Sequence, residues 1–157
     1  MPFGFYIIMA AQFFSALADN ALLIAAIYAL HEMQSPLWFD PMLKLLFTVS
    51  YVVLAGFVGA FADSMAKGKV MLISNTIKIG GCLMVFMGMH PLLGYAIVGL
   101  GAATYSPAKY GILTELLPHR LLVVANGWIE GMTVLAIILG TVAGGALINP
   151  AIAQALL

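Results

Sequence analysis

Four ionisable side chains lie well inside the long apolar stretches of this sequence: Asp19, Lys78, Lys109 and Glu130. Each costs about 2.5–3.5 kcal/mol at the centre of a membrane-spanning helix, so we expect these groups to be paired or to face a wet cavity. Two acids balance two bases. This balance suits internal ion pairs, and it equally suits a zwitterionic ligand that carries a cation and a phosphate.

Simpler roles for three of these side chains stay open. Lys78 could extend its stem and place its ammonium among the lipid headgroups. Glu130 follows Asn126 by four residues, so the two share a helix face and could act only in helix packing. Lys109 could be an interfacial anchor with Glu115 as its partner.

A proline precedes Lys109 by two residues, within residues 105–111. Pro107 lacks an N–H and clashes with the preceding turn, which predicts a kink and a freed carbonyl that could line a cavity. Broken or kinked helices beside a charge occur at transporter binding sites, so Pro107 is a candidate hinge. A packing kink flanked by interfacial tyrosines is the alternative.

The sequence shows no residue set for soluble enzyme chemistry. His31, His90 and His119 each stand alone, without a second ligand at metal-binding spacing. Nucleophile-elbow, phosphate-loop and dinucleotide-binding patterns are absent as well. We therefore expect a protein that is not an enzyme, without catalytic residues, cofactor or metal.

The composition predicts an all-α integral membrane protein. Of 157 residues, 64% are hydrophobic and 8% are charged, and the mean hydropathy is +1.10. A soluble domain is about half apolar and about a quarter charged. Six Lys and Arg balance six Asp and Glu, so no basic excess is present for nucleic acid and none is expected as a partner.

Five stretches are long enough to cross roughly 30 Å of hydrocarbon, and the breaks between them are short and polar. Antiparallel neighbours have such connections. Glycine pairs within the stretches predict faces for helix contact, at Gly56 and Gly59, Gly127 and Gly131, and Gly140 and Gly144. We predict one transmembrane domain over residues 1–157, with spans near 5–30, 42–62, 70–89, 92–116 and 122–148.

The basic residues near the span ends predict the orientation. Lys67 and Lys69 lie in the second break and Arg120 in the fourth, whereas Lys44 alone flanks the first. By the positive-inside rule, the second and fourth loops and the N-terminus are cytoplasmic. The first stretch has no basic start, so we expect a retained helix, with the tail 149–157 outside.

Helical rise predicts the depth of the four charges. At about 1.5 Å per residue, Lys78, Lys109 and Glu130 lie at a similar depth on three helices. Asp19 lies roughly 20 Å from the cytoplasmic side, near or past the midplane.

The second loop resembles the signature loop between the second and third helices of the major facilitator superfamily. In that loop a glycine, an aspartate four residues later and a following glycine-basic cluster hold the cytoplasmic gate. The resemblance implies gating roles for Gly59, Asp63, Lys67, Gly68 and Lys69.

A more specific resemblance covers nearly the whole chain. Residues 18–23, 62–68, 105–113 and 125–130 are similar to the bacterial lysophospholipid transporter family of that superfamily. The resemblance implies a carrier that moves lysophospholipid, chiefly lysophosphatidylethanolamine, across the bacterial inner membrane. A partner acyltransferase/acyl-ACP synthetase would then re-acylate the lipid.

This family implies an amphiphile site among the membrane charges. Asp19 and Lys109 are expected to face one cavity, because the first and fourth helices occupy equivalent places in the repeats of these carriers. The expected substrate-binding residues are Asp19, Asn20, Lys78, Lys109, Asn126 and Glu130.

Carriers of this superfamily have about twelve spans in two six-helix halves. The chain resembles an N-terminal half without its last helix, so we expect a fragment, or a chain that works with a complementing C-terminal half. Two other functions stay open. One is a proton-coupled exporter of a small solute or drug, in which Asp19 or Glu130 titrates; the other is a membrane assembly subunit without transport of its own.

Overall fold

A computed structural model describes residues 1–149, and in this range it contains five α-helices and no strand. The helices are α1 Phe3–Glu32, α2 Phe39–Asp63, α3 Lys67–Phe86, α4 Pro91–Leu116 and α5 His119–Leu147. The all-α fold class predicted from the composition is therefore confirmed. All but the first residue of the predicted outer tail, 149–157, lies outside the described residues.

Among the described residues, four helices are long and apolar enough to cross a membrane: α1, α2, α3 and α5. The prediction of five spans included α4, which has 26 residues but is not apolar enough to join this set. Glycine, tyrosine, serine and proline lower its hydropathy. The same helix has the most buried residues of the five described helices. Most of its surface therefore contacts protein, and fewer of its residues need to be apolar.

The packing is centred on α4. This helix packs against both α2 and α3, while α1 packs mainly against α5 and also contacts α4. His90 caps the N-terminus of α4, because its Nδ1 accepts a hydrogen bond from the Leu92 N–H at 3.3 Å. Pro91 suits the first helical position. Gly88, just after α3, has a φ of 79°, a left-handed conformation typical of helix C-termini.

Two helix interfaces need glycine because backbones approach closely. A Cβ on Gly140 of α5 would lie 2.4 Å from the Leu17 carbonyl oxygen of α1. A Cβ on Gly101 of α4 would lie 2.5 Å from Lys78 Cγ and 2.7 Å from the Ser74 carbonyl oxygen of α3. Small residues thus bring α1 onto α5 and α4 onto α3.

Of the three glycine pairs predicted to make helix contacts, one does so among the described residues and two do not. Gly144 meets α1 as Gly140 does, so this pair is confirmed as a helix contact. At Gly56, Gly59, Gly127 and Gly131, an added Cβ would meet no atom of another described helix within 4 Å. For these two pairs the prediction of a helix contact is wrong within the described residues, since their faces on α2 and α5 are open.

Two apolar clusters occupy opposite ends of α1. Phe5 and Ile8 near its start pack in one cluster with residues of α3, α4 and α5. Leu23 and Leu30 near its end pack in the other with Leu43 of α2 and with α4. The polar residues in the middle of α1, within residues 12–20, lie between these clusters, so the fold holds them in the middle of the bundle.

Candidate functional site

The first ion pair joins α1 to α3 inside the bundle. Lys78 Nζ lies 2.7 Å from Asp19 Oδ2, and the two side chains are 8% and 15% exposed. Lys78 also donates to the Ser15 hydroxyl, which donates to Asn75 Oδ1 at 3.3 Å. Lys78 is thus held within protein and does not extend to headgroups. The pairing offsets the cost of placing both charges in an apolar bundle.

The second ion pair joins α4 to α5. Lys109 Nζ lies 3.7 Å from Glu130 Oε1, and the Tyr110 hydroxyl donates to the same oxygen at 2.6 Å. Lys109 is buried and its ammonium lies 4.3 Å from the centre of the Tyr110 ring, whereas the Glu130 side chain is 52% exposed. The partners of Glu130 are therefore on α4, and Asn126 is exposed on α5. Lys109 pairs with Glu130, not with Glu115.

A polar cavity of about 380 Å³ lies between α1, α2, α4 and α5. Asp19 and Asn20 border it, and Asn20 donates to the Ala16 carbonyl at 2.8 Å within its own helix. Gln12, about two turns before Asp19, donates to Thr133 Oγ1 of α5 at 3.0 Å in the cavity wall. This cavity is large enough for a small polar group with several hydrogen-bonding atoms.

A second, mostly apolar cavity of about 370 Å³ lies between α1 and α3. Phe14, Ile79 and Cys82 line it together with Asp19 and Lys78. Because Asp19 borders both cavities, the first ion pair forms part of the wall between them. The arrangement places an apolar space and a polar space on two sides of one charged pair.

The predicted substrate residues are thus divided between two places. Asp19, Asn20 and Lys78 border the cavities, whereas Lys109 and Glu130 line neither of them. Lys78 is the ionic partner of Asp19. That Asp19 and Lys109 face one cavity stays a prediction for the complete carrier. Helical rise predicts a depth for each charge but not the direction in which its side chain points.

The loop between α2 and α3 brings two of the predicted gate residues together. Asp63 and Lys67 form an ion pair, and Lys67 Nζ also donates to the Ala62 carbonyl at 3.0 Å. Gly68 and Lys69 are exposed beside them. Gly59 lies one turn earlier on the open face of α2 described above.

Pro107 lies inside a continuous α4. By helical spacing, it leaves the carbonyl of buried Ala103 without the usual N–H donor. Nearby, Tyr105 and Ser106 border a small cavity of about 50 Å³ next to Asp19 and Lys78. The Tyr105 hydroxyl is buried without a hydrogen-bond partner among the described residues.

Several residues of the polar cavity were missed from the sequence. They are Gln12 on α1, Lys44, Phe47 and Tyr51 on α2, and Tyr95 on α4. Their spacing could have predicted them: Gln12 precedes Asp19 by seven residues, and the three α2 residues are separated by three and four positions. Each set therefore shares one helix face.

Known proteins resemble the chain strongly in sequence. Neither a protein-family profile nor a solved structure matches it. The lysophospholipid transporter LplT of Yersinia enterocolitica serotype O:8 is 51% identical over 144 residues, which are 92% of this chain and 36% of the relative. The LplT of Yersinia pestis strain Pestoides F is 51% identical over 140 residues, or 89% of this chain and 34% of the relative.

The chain spans about a third of the length of these relatives. The resemblance to lysophospholipid transporters that the sequence motifs predicted is confirmed. Over about nine tenths of its length this chain is a homologue of the LplT lysophospholipid transporters.

Proposed function

We propose that this chain forms part of a lysophospholipid carrier of the bacterial inner membrane and is not an enzyme. The observation that carries the proposal is the 51% identity to LplT proteins over 92% of the chain. The site geometry supports it. An amphiphile needs a polar place for its headgroup and an apolar place for its single acyl chain, and Asp19 borders a cavity of each kind.

The Asp19–Lys78 pair would work by exchanging partners. A zwitterionic headgroup offers an ammonium to the carboxylate and a phosphate to the lysine, so the ligand replaces the internal ion pair without leaving a charge unpaired. Asn20 adds an amide beside Asp19. Lys109, Glu130 and Asn126 would meet the lipid at a later stage of its passage, closer to the cytoplasm.

The loops at the lysine-rich ends would face the cytoplasm. In this orientation the N-terminus and the α2–α3 and α4–α5 connections are inside, and α1 enters from the cytoplasmic leaflet. Asp63, Lys67, Gly68 and Lys69 form the gate where α2 ends and α3 begins. Gly59 leaves the neighbouring face of α2 open, and Pro107 serves as the hinge of α4. The Asp63–Lys67 pair would hold this loop in its present conformation.

Transport itself would require more than the described helices. The chain spans about a third of the length of its relatives, and a passage between two bundles needs the second bundle as well. A complementing C-terminal half is therefore part of the proposal. Delivery of the lipid to an acyltransferase/acyl-ACP synthetase is also part of it.

Binding of lysophospholipid tests the proposal directly. The 157-residue chain in nanodiscs should bind a fluorescent lysophosphatidylethanolamine saturably, and unlabelled lysolipid should displace the probe better than a diacyl phospholipid. Asp19→Asn should reduce binding per folded molecule by about tenfold or more, since it removes the charge that attracts the ammonium. Asp40→Asn is the matched control, because Asp40 pairs with His31 at 2.9 Å in the α1–α2 connection, away from both cavities.

Non-saturable binding, or equal displacement by lysolipid and diacyl lipid, would contradict the proposed substrate. Joining the chain to the remaining length of an LplT relative then tests transport, read as lysolipid uptake into vesicles. Binding without uptake in that fusion would assign the chain to lipid binding alone.

A further inference from the structure

Three aromatic rings form one wall of the polar cavity. The ring centres of Phe47 on α2 and Tyr95 on α4 are 5.3 Å apart in a stacked arrangement. Tyr51, one turn after Phe47, has its ring centre 5.7 Å from that of Phe47. All three border the same cavity as Asp19, and Tyr95 is almost completely buried.

These rings complement the carboxylate as a site for a cation. The faces of aromatic rings are electron-rich and attract ammonium groups, most strongly where water is excluded. Asp19 already shares its charge with Lys78, so the carboxylate by itself attracts a further cation weakly. Aromatic rings that border the same cavity add attraction without adding a charge that must be neutralised when the ligand is absent.

A lysine also borders this cavity. Lys44 lines it, and Lys44, Phe47, Thr48 and Tyr51 follow one another at helical spacing along a single face of α2. The rise from Lys44 to Tyr51 is roughly 10 Å, and the lysine stem can bring its ammonium toward the rings. The cavity wall therefore contains a carboxylate, aromatic rings and a lysine ammonium.

We propose that this cavity is a headgroup subsite in which Asp19, Phe47, Tyr51 and Tyr95 bind the ammonium of a zwitterionic lysolipid. Lys44 binds its phosphate together with Lys78, which Asp19 releases when the ammonium binds. The subsite rests on the lysophospholipid function proposed above and adds a basis for headgroup selectivity. Lysolipids with an ammonium gain from the ring wall. Those with a glycerol headgroup keep only the phosphate contacts.

Binding measurements with two lysolipids separate these contacts. The 157-residue chain in nanodiscs is titrated with lysophosphatidylethanolamine and with lysophosphatidylglycerol, which share a phosphate and differ in the ammonium. Tyr51→Leu and Phe47→Leu should each weaken ethanolamine-lysolipid binding about three- to thirtyfold and leave glycerol-lysolipid binding within about twofold. Lys44→Gln should weaken both lipids equally, and Tyr51→Phe, which keeps the ring, should preserve the selectivity.

Phe57→Leu is the control on the same helix, because Phe57 is 74% exposed and does not border the cavity. Unchanged binding of the glycerol lysolipid reports that the variants of Phe47 and Tyr51 are folded, and circular dichroism reports it for Lys44→Gln. Equal weakening of both lipids by Tyr51→Leu, or no weakening of either, would overturn the subsite while leaving lysolipid binding intact. If the unaltered chain binds neither lipid, the proposed function itself fails and the subsite fails with it.

Discussion

The two ion pairs of this bundle differ in how completely protein surrounds them. Asp19 and Lys78 are both largely buried, and Lys78 has Ser15 as a further acceptor. In the second pair Lys109 is buried but Glu130 is about half exposed, at a longer distance of 3.7 Å. An enclosed charge depends on its partner, whereas an exposed charge has water or headgroups as alternatives. The first pair should therefore control stability and binding, and the second should make a smaller contribution.

Removing one partner of the enclosed pair should have the largest effect. Lys78→Met leaves Asp19 as an uncompensated buried charge, which costs about 3–5 kcal/mol of the free energy of unfolding. The measurement is unfolding of the purified chain in mixed micelles, followed by circular dichroism. The double variant Asp19→Asn with Lys78→Met should recover most of this loss, since no charge remains. A double variant as unstable as the single one would show that packing, not charge, explains the loss.

Crowding next to the first pair should have the next largest effect. In Gly101→Ala the new Cβ meets Lys78 Cγ at 2.5 Å and the Ser74 carbonyl oxygen at 2.7 Å, so α3 and α4 must separate. Such overpacking costs about 1–3 kcal/mol of the free energy of unfolding. Gly127→Ala on α5 is the matched control near the second pair, where the Cβ meets nothing within 4 Å. It should be neutral or stabilising by up to about 1 kcal/mol through helix propensity.

Equal effects of the two glycine substitutions on thermal unfolding would contradict the expectation that the surroundings of Gly101 are crowded and those of Gly127 are open. That result would mean that α3 and α4 can adjust around Lys78 at little cost.

The helices were predictable because their signal is local. Long apolar stretches separated by polar breaks indicate helices whatever their neighbours are, and 5–30 corresponds to α1 at Phe3–Glu32. For α4 the same rule was less informative, because a helix surrounded by protein can replace apolar residues with glycine, tyrosine and serine. Its buried Gly94 and Tyr95 are examples.

Partners within the site depended on geometry that the sequence does not contain. Helical rise predicted only the depth of Lys78 and Lys109. Both side chains are buried in the bundle, and on charge alone either lysine is compatible with Asp19. The choice of Lys78 depends on α3 approaching α1 beside Ser15, which requires the long-range packing of both helices. The ring wall was missed because Phe47 and Tyr95 are distant in sequence and meet only where α2 packs on α4.

Loss of the Tyr110 hydroxyl, which donates to Glu130 of the second pair, should have a smaller effect on stability. Tyr110→Phe removes the 2.6 Å hydrogen bond to Glu130 but keeps the ring beside the Lys109 ammonium. We expect a loss of about 0.5–1.5 kcal/mol in the free energy of unfolding, the usual contribution of one hydrogen bond. Tyr6→Phe on α1, where the tyrosine is 51% exposed, is the control and should be neutral. A loss above that of Lys78→Met would reverse the order of the two pairs.

The smallest expected effect is that of Glu130→Gln, and its dependence on salt separates the pairs most clearly. The Glu130 side chain is 52% exposed, so its attraction to Lys109 acts partly through solvent and contributes about 0–1 kcal/mol. Raising the salt concentration from about 0.01 M to 1 M shortens the screening length from about 30 Å to 3 Å. The destabilisation by Glu130→Gln should therefore fall by half or more over this range. Lys78→Met should keep its full effect, because ions do not penetrate between Asp19 and Lys78. The same salt dependence in both variants would mean that solvent reaches the first pair as easily as the second, and the distinction between an enclosed and an open pair would then fail.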